Sequence, residues 1–230
     1  AIEAVGVRLA AARSALVLTG AGLSADSGLP TYRGVGGIYD NGVTAEGLPF
    51  EVALSGEMFQ RNPELTWQHI ARIESATRGA ECNGLHRQAG SRNLVELHGR
   101  VHSLRCTACG DHVEVADFAG LAIPPSCGAC GGLVRPDVVL FGEMLPEHAV
   151  DRLTAETRAG FDVVIGIGTS GAFPYIVEPV LRARERGATT VVINPEATEL
   201  GDVVDYAIQA RAEPALAAIW QAFERAHGHG

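Results

Sequence analysis

An α/β fold, with a doubly wound parallel sheet and a small metal-binding insert, is predicted by three observations. Two short apolar stretches each run straight into a glycine-rich turn: Ala15-Leu16-Val17-Leu18-Thr19 into Gly20-Ala21-Gly22, and Asp162 to Ile167 into Gly168-Thr169-Ser170. Strand and helix patterns alternate through the C-terminal half, as βαβ units require. Between these regions lie two CxxC pairs, Cys106-Thr107-Ala108-Cys109 and Cys127-Gly128-Ala129-Cys130. With 230 residues and 47% apolar content, the chain suits one large domain, or one domain with a small insert.

Taken in order, Ile2, Val5 and Leu9 recur at helical spacing and predict a helix over 2–12. Residues 15–19 read as a buried parallel strand. The glycines after it let backbone N–H groups approach a pyrophosphate with no Cβ in the way; alone, the turn is as compatible with an ordinary tight bend. Residues 28–47 show no periodicity and are rich in glycine; a loop of this length reads as a cover over a cofactor. A helix is predicted over 49–59. Asn62-Pro63 supplies an N-cap and a first-turn proline for another through about Thr77, with Leu65, Ile70 and Ile73 inward. Trp67, His69 and Arg72 are left between core packing and exposure.

Val138-Val139-Leu140-Phe141 is a further apolar run. Helices are predicted over 147–159, 175–186 and 213–226, and strands over 162–167, 189–193 and 206–209. Ligands in such sheets sit at the carboxyl ends of strands, where Gly20, Gly168 and Asn194 fall. The tail, with His227 and His229, reads as a frayed terminus.

The separation of the two CxxC pairs fits a zinc pattern. Four thiolates fill a tetrahedral ion and leave no open position, so Cys106, Cys109, Cys127 and Cys130 predict one structural zinc. Five cysteines, with Cys82 alone, in a chain showing no signal-peptide pattern, suit a reducing, cytoplasmic setting. The net charge of −9 argues against nucleic acid as a partner, and no stretch is apolar enough for a membrane span. His98, at the end of Val95-Glu96-Leu97, reads alone as a satisfied structural histidine; its position beside Gly99, between a cofactor-type sheet and the cysteine pairs, makes it a candidate general base.

Read together, GAGLSADSGLPTYRG (20–34), GLHRQAG (84–90), VELHG (95–99), the CxxC pairs, RPDVVLFGE (135–143), IGTSG (167–171) and INPE (193–196) resemble the sirtuins, the NAD-dependent protein lysine deacylases. The resemblance covers nearly the whole chain. It implies a Rossmann-like NAD-binding domain over 1–33, 84–104 and 133–230, a cofactor loop and helical module over 34–83, and a zinc-binding module over 105–132. It also implies that His98 acts on the nicotinamide ribose hydroxyls, giving nicotinamide, free lysine and 2′-O-acyl-ADP-ribose. Gly20, Ala21, Gly22 and Ser24 would line the phosphates with Gly168, Thr169 and Ser170. Tyr32, where the family usually has Phe, and Arg33 would cover the ribose. Asn194 and Glu196 would reach the adenosine end and Ala212 the adenine. Val138, Val139 and Phe141 would wall the acyl-lysine channel and pair with a peptide by strand addition.

Two departures are visible. Where the family carries TQNxD, this chain reads Gly79-Ala80-Glu81-Cys82-Asn83; Asn83 can accept one hydrogen bond but carries no charge. A helix and strand of roughly 20–30 residues are also missing before it, judged by the size of a βαβ unit. Either the chain has lost them or the sequence skips them. Second, the Tyr-x-x-Arg pair of sirtuins that prefer succinyl- or malonyl-lysine has its nearest match in His69-Ile70-Ala71-Arg72, without the tyrosine. This favours deacetylation. The alternatives are a desuccinylase or demalonylase, a module that binds NAD or ADP-ribose without turnover, and, less prominently, a mono-ADP-ribosyltransferase.

Overall fold

The computed structural model describes residues 1–25, 42–77 and 85–228. Tyr32, Arg33 and Asn83, most of the 28–47 loop and the short 78–84 stretch lie outside the described residues. The chain divides into two compact units, Ala1–Thr31 with Arg152–Gly230, and Tyr32–Asp151.

The first unit is a parallel sheet between helices. It holds α1 (Ile2–Ala11), β1 (Ala15–Thr19) and α2 (Ala21–Ala25) from the start of the chain. From the end come β5 (Val163–Ile167), α8 (Pro174–Glu185), β6 (Thr189–Ile193), a 3₁₀ turn at Glu199–Asp202, β7 (Tyr206–Ile208) and α9 (Ala212–His227). The sheet order is β1-β5-β6-β7, every pair parallel. β5 is buried along its whole length, and Val191, Val192 and Ile193 of β6 are buried too, as strands covered on both faces must be. At the edge, β1 leaves Val17 47% exposed. Helices α1 and α9 cross closely at Gly6, where a Cβ would lie 2.4 Å from that of Ala222. Val5, Ile165, Val191, Ile193, Ala215 and Ile219 share one apolar core.

The second unit has its own core, built on Phe50, Phe59, Trp67, Leu104, Phe118 and Val134. Helices α3 (Phe50–Ala53), α4 (Gly56–Arg61), α5 (Pro63–Thr77) and α6 (Leu85–Gln88) precede an antiparallel sheet. That sheet runs β3-β2-β4, with β2 at Gly99–Cys106, β3 at His112–Glu114 and β4 at Val134–Val138. Helix α7 (Glu147–Ala159) leads back toward β5. Trp67 is fully buried and donates its indole N–H to the Val134 carbonyl at 2.8 Å, tying the helices to the sheet. Phe118 packs edge-on against Trp67 at 5.3 Å.

Three elements differ from the sequence reading. The helix expected over 49–59 is two, because Ser55 accepts the Met58 N–H at 3.0 Å as an N-cap, while Gly56 N–H is taken by the Phe141 carbonyl. The strand ends at Val138 instead of running through Phe141: Val139 donates to the His98 carbonyl, and Phe141 turns to bridge Leu54 and Gly56. Residues 99–104 and 134–138 pair with each other antiparallel, so the contacts group them with the helices and the cysteine module.

Candidate functional site

Two loops of the first unit meet at the carboxyl ends of its strands. Gly20 N–H donates to Ile167 O, Gly22 N–H to Gly168 O, and Gly168 N–H to Ile193 O, each at 2.9 Å. The approach is too close for side chains. A Cβ on Gly20 would stand 2.5 Å from Gly168 O, and one on Gly168, whose φ is +59°, would stand 2.4 Å from Leu23 N. Both positions require glycine. Asn194 closes the group: its Nδ2 donates to Thr169 O at 3.0 Å, and its Oδ1 accepts from Glu196 N at 3.1 Å. Gly171 and Ala172 N–H groups turn back on the hydroxyls of Thr169 and Ser170 at 3.4 Å each. The structure therefore brings Gly20, Ala21, Gly22, Gly168, Thr169, Ser170, Asn194 and Glu196 to one end of one sheet. Ser24 lies in α2. Ala212 opens α9 and is buried with the sheet core.

In the second unit, His98 sits in the turn that starts β2. Gly99 N–H donates to Glu96 O at 3.3 Å, and Val139 N–H to His98 O at 3.0 Å. Gly99 has φ +73°, and a Cβ there would lie 2.0 Å from Asp137 O. The histidine is thus fixed from both neighbours and stands beside Val138, the partner of Gly99, and Val139. More than a third of His98 remains accessible, yet burial of the ring still pushes its pKa below the ordinary histidine value. The neutral imidazole is the form that can accept a proton. Around it runs a line of alternating charge: Arg87 meets Glu96 at 2.6 Å, Glu96 meets Arg100 at 3.9 Å, and Arg100 meets Glu114 at 2.7 Å.

At the other end of β2 the four cysteines converge, with all four Sγ atoms within 4.8 Å of one another. Cys106 and Cys130 are 3.5 Å apart and Cys109 and Cys127 3.7 Å. Tetrahedral zinc with bonds of about 2.3 Å sets sulfurs about 3.8 Å apart, so the four thiols fit one zinc ion. Backbone N–H groups of Cys109 and Ala108 point at Cys106 Sγ and hold its thiol down to about 6, while crowding by the other sulfurs pushes the Cys109 thiol up to about 12; a bound cation is what would hold all four as thiolates. Gly132 is required here: a Cβ would lie 3.2 Å from two of the sulfurs.

Three further sequence-predicted residues, His69, Arg72 and Phe141, lie in the same unit as His98. His69, on α5, is buried with its Nε2 3.2 Å from Glu46 Oε2. Burial lowers its pKa against the opposing pull of Glu46. Arg72 is exposed on the same helix and adds its charge to the field at Glu46. Phe141 is 40% exposed and packs edge-on against Phe50 at 5.5 Å.

Sequence reasoning missed Glu46, for which the glycine-rich loop gave no signal. It also missed the role of Arg135 and Glu143, although both stood inside the RPDVVLFGE stretch. They form a paired bridge, Nη1–Oε1 at 2.6 Å and Nη2–Oε2 at 2.9 Å. Arg135 also donates to Val138 O, and Glu143 accepts from Leu140 N. The bridge anchors the segment that carries Val138, Val139 and Phe141.

Fold and site together define an α/β protein with a dinucleotide-type sheet and a structural four-thiolate module. The Sir2 family model matches residues 78–174. An NAD-dependent protein deacylase 2 of Pseudomonas aeruginosa is 47% identical, over 92% of this chain and 93% of its own. This chain belongs to the Sir2 family. The alignment spans 243 residues, more than the 230 of this chain, so the relative carries residues with no counterpart here. Among solved structures, a Sir2 homologue–NAD complex superposes with a TM-score of 0.83 at 30% identity, over 99% of this chain and 94% of the other. A mutant Sir2 homologue bound to 2′-O-acetyl ADP ribose gives 0.81 at 30% identity, over 96% and 94%.

Proposed function

We propose that this chain is an NAD-dependent protein deacylase of the sirtuin type that removes acetyl and similar short neutral acyl groups from lysine. The 47% identity to a protein of that name along 92% of the chain carries the reading. The side-chain-free meeting of Gly20, Gly22 and Gly168 supports NAD binding at the carboxyl end of the sheet, with backbone groups toward the pyrophosphate and Asn194 and Glu196 toward the adenosine. NAD supplies the ribose carbon that accepts the acyl oxygen. His98 takes a proton from a ribose hydroxyl; its lowered pKa supports that role near neutrality. Val138, Val139 and Phe141 line the acyl-lysine channel, and Tyr32, Arg33, Ser24, Asn83 and Ala212 complete the cofactor contacts. The products are nicotinamide, free lysine and 2′-O-acyl-ADP-ribose.

Glu46 supports the preference for neutral acyl groups. Its carboxylate already faces His69 at 3.2 Å and lies in the field of Arg72, so an acyl carboxylate brought to Arg72 would meet a like charge. The acidic balance of −9 suits a lysine-bearing protein substrate over nucleic acid. Among the described residues no helix is long and apolar enough to cross a membrane, and the free thiols of Cys106, Cys109, Cys127 and Cys130 support a reducing, cytoplasmic setting.

The test is mass spectrometry of products from NAD and an acetyl-lysine peptide, with His98→Ala as control, followed by kcat/KM on acetyl- and succinyl-lysine peptides. A strong succinyl preference overturns the acyl assignment, and an active His98→Ala overturns the base. The altered Glu81-Cys82-Asn83 stretch favours one other reading, a binding module without turnover; nicotinamide release on acetyl peptide excludes it.

A further inference from the structure

At the opposite pole of the parallel sheet, the amino ends of β5 and β6 border a recess of about 300 Å³. Three arginines line it, Arg8, Arg13 and Arg186, with a single acidic residue, Asp162. In a chain of net charge −9, this is a local excess of two positive charges in a concave place. The carboxylate offsets one of the three and is itself held by the backbone. Asp162 Oδ2 already accepts the Arg13 and Ser14 N–H groups at 2.8 and 3.2 Å, while its approach to the Arg13 side chain is 3.7 Å.

The arginines are not equivalent. Arg186 is held in place: its Nη1 donates to the Arg158 and Thr157 carbonyls at the end of α7, at 2.9 and 3.2 Å. That leaves Nε and Nη2 of a fixed, planar group for a ligand. Arg8 stands in the last turn of α1 and has no ion-pair partner among the described residues. Gly187, beside Arg186, opens the floor: a Cβ there would meet nothing within 4 Å. β5 starts at this recess and ends beside Gly168, so the recess lies about 15 Å from the glycine loops by the rise of a five-residue strand. It is a different place from the proposed cofactor end.

We propose that this recess is a second, anion-binding site, which takes the phosphate group of a small soluble molecule between Arg8, Arg13 and Arg186. Guanidinium groups match tetrahedral oxyanions through paired N–H donors, and one pre-anchored arginine lowers the ordering needed from the other two. A multiply charged phosphate or pyrophosphate answers the excess charge better than a monovalent anion.

Amide NMR titration of the ¹⁵N-labelled chain with inorganic phosphate and pyrophosphate tests this, against sodium chloride at matched ionic strength. The expected result is saturable shifts at the Arg13, Gly187, Ala188 and Thr189 amides, with pyrophosphate tighter than phosphate. Arg8→Gln and Arg13→Gln should each weaken pyrophosphate about tenfold or more, with melting temperatures unchanged. These two variants spare the Arg186 contacts that brace α7. Shifts that grow linearly like those with chloride, or that appear only at Gly20, Gly22 and Gly168 to Ser170, overturn the proposal. So does unchanged affinity in both variants, or binding seen only with phosphatidic acid vesicles and not with soluble pyrophosphate.

Discussion

Replacing Glu143 by Gln keeps the shape of the side chain and removes its charge. Arg135, with a side chain only 10% exposed, is then a buried cation with one neutral partner. Breaking such a pair from one side costs about 3–5 kcal/mol; the 28% exposure of Glu143 places the expectation near the lower end, about 3 kcal/mol. For a chain of this length that is roughly 6–12 °C in melting temperature. The carboxyl also titrates. Burial pushes the Glu143 pKa up, but the Arg135 guanidinium and the Leu140 N–H pull it down further, to a net value below 4.5. A depressed folded-state pKa stabilises above the unfolded value, and that contribution is lost as pH falls through the folded one. The deficit of Glu143→Gln should therefore be full at pH 7 and shrink in acid, below 4.5. Trp67 and Trp220 are the only tryptophans and lie in different units. In a Trp220→Phe background, urea unfolding followed by fluorescence reports the unit that holds the bridge. The double variant Arg135→Met/Glu143→Gln should recover part of the loss. A midpoint within about 0.5 kcal/mol of the parent at pH 7, or strictly additive losses, would refute the coupling.

Gly99→Ala should cost at least about 2 kcal/mol, from the left-handed φ and the 2.0 Å approach to Asp137 O, and should lower kcat through the displaced His98; a stable, fully active variant would show that the turn relaxes freely. The acid limb of kcat/KM should fall below pH 6.5, because His98 is shifted down from that value; a limb centred above 7 assigns the base elsewhere. Arg87→Glu and Glu96→Arg should each reduce kcat more than stability, since exposed pairs contribute about 0–1 kcal/mol, and the double swap should restore activity; no rescue would mean the pair does not steady the histidine turn. Zinc analysis should find one ion per chain, and Cys109→Ser or strong chelation should unfold the second unit while the parallel sheet persists; an unaltered Trp67 signal after metal removal would refute a structural ion.

The parallel sheet was legible because its physics is local. A strand covered on both faces must be largely apolar, and β5 and β6 announce themselves as Val-Ile runs, one running into Gly168 and the other into Asn194. The thiol module was legible because coordination geometry fixes ligand spacing. The antiparallel strand β4 was not, because its sequence is Val-Arg-Pro-Asp-Val. Its arginine is hidden only by a carboxylate eight residues on, which no periodicity reveals. The break at Ser55 was equally hidden, since it depends on Gly56 bonding across to Phe141. Glu46 was silent for the same reason: its meaning comes from His69, far along the chain.

Strand β2 begins at Gly99, directly after His98, and ends at Cys106. Over eight residues, roughly 25 Å, one element fixes both the histidine turn and a thiol of the metal cluster. Between these ends β2 carries a shift in register against β4, from Arg100 to Leu104, so its length is set by the fold at each end separately. Insertion or loss of one residue would turn the following side chains to the opposite face, expelling either Leu104 from the core or Cys106 from the cluster. The interval from His98 to Cys106 therefore has to pass between descendants as an indivisible length, tolerant of substitution on its exposed face and intolerant of insertion.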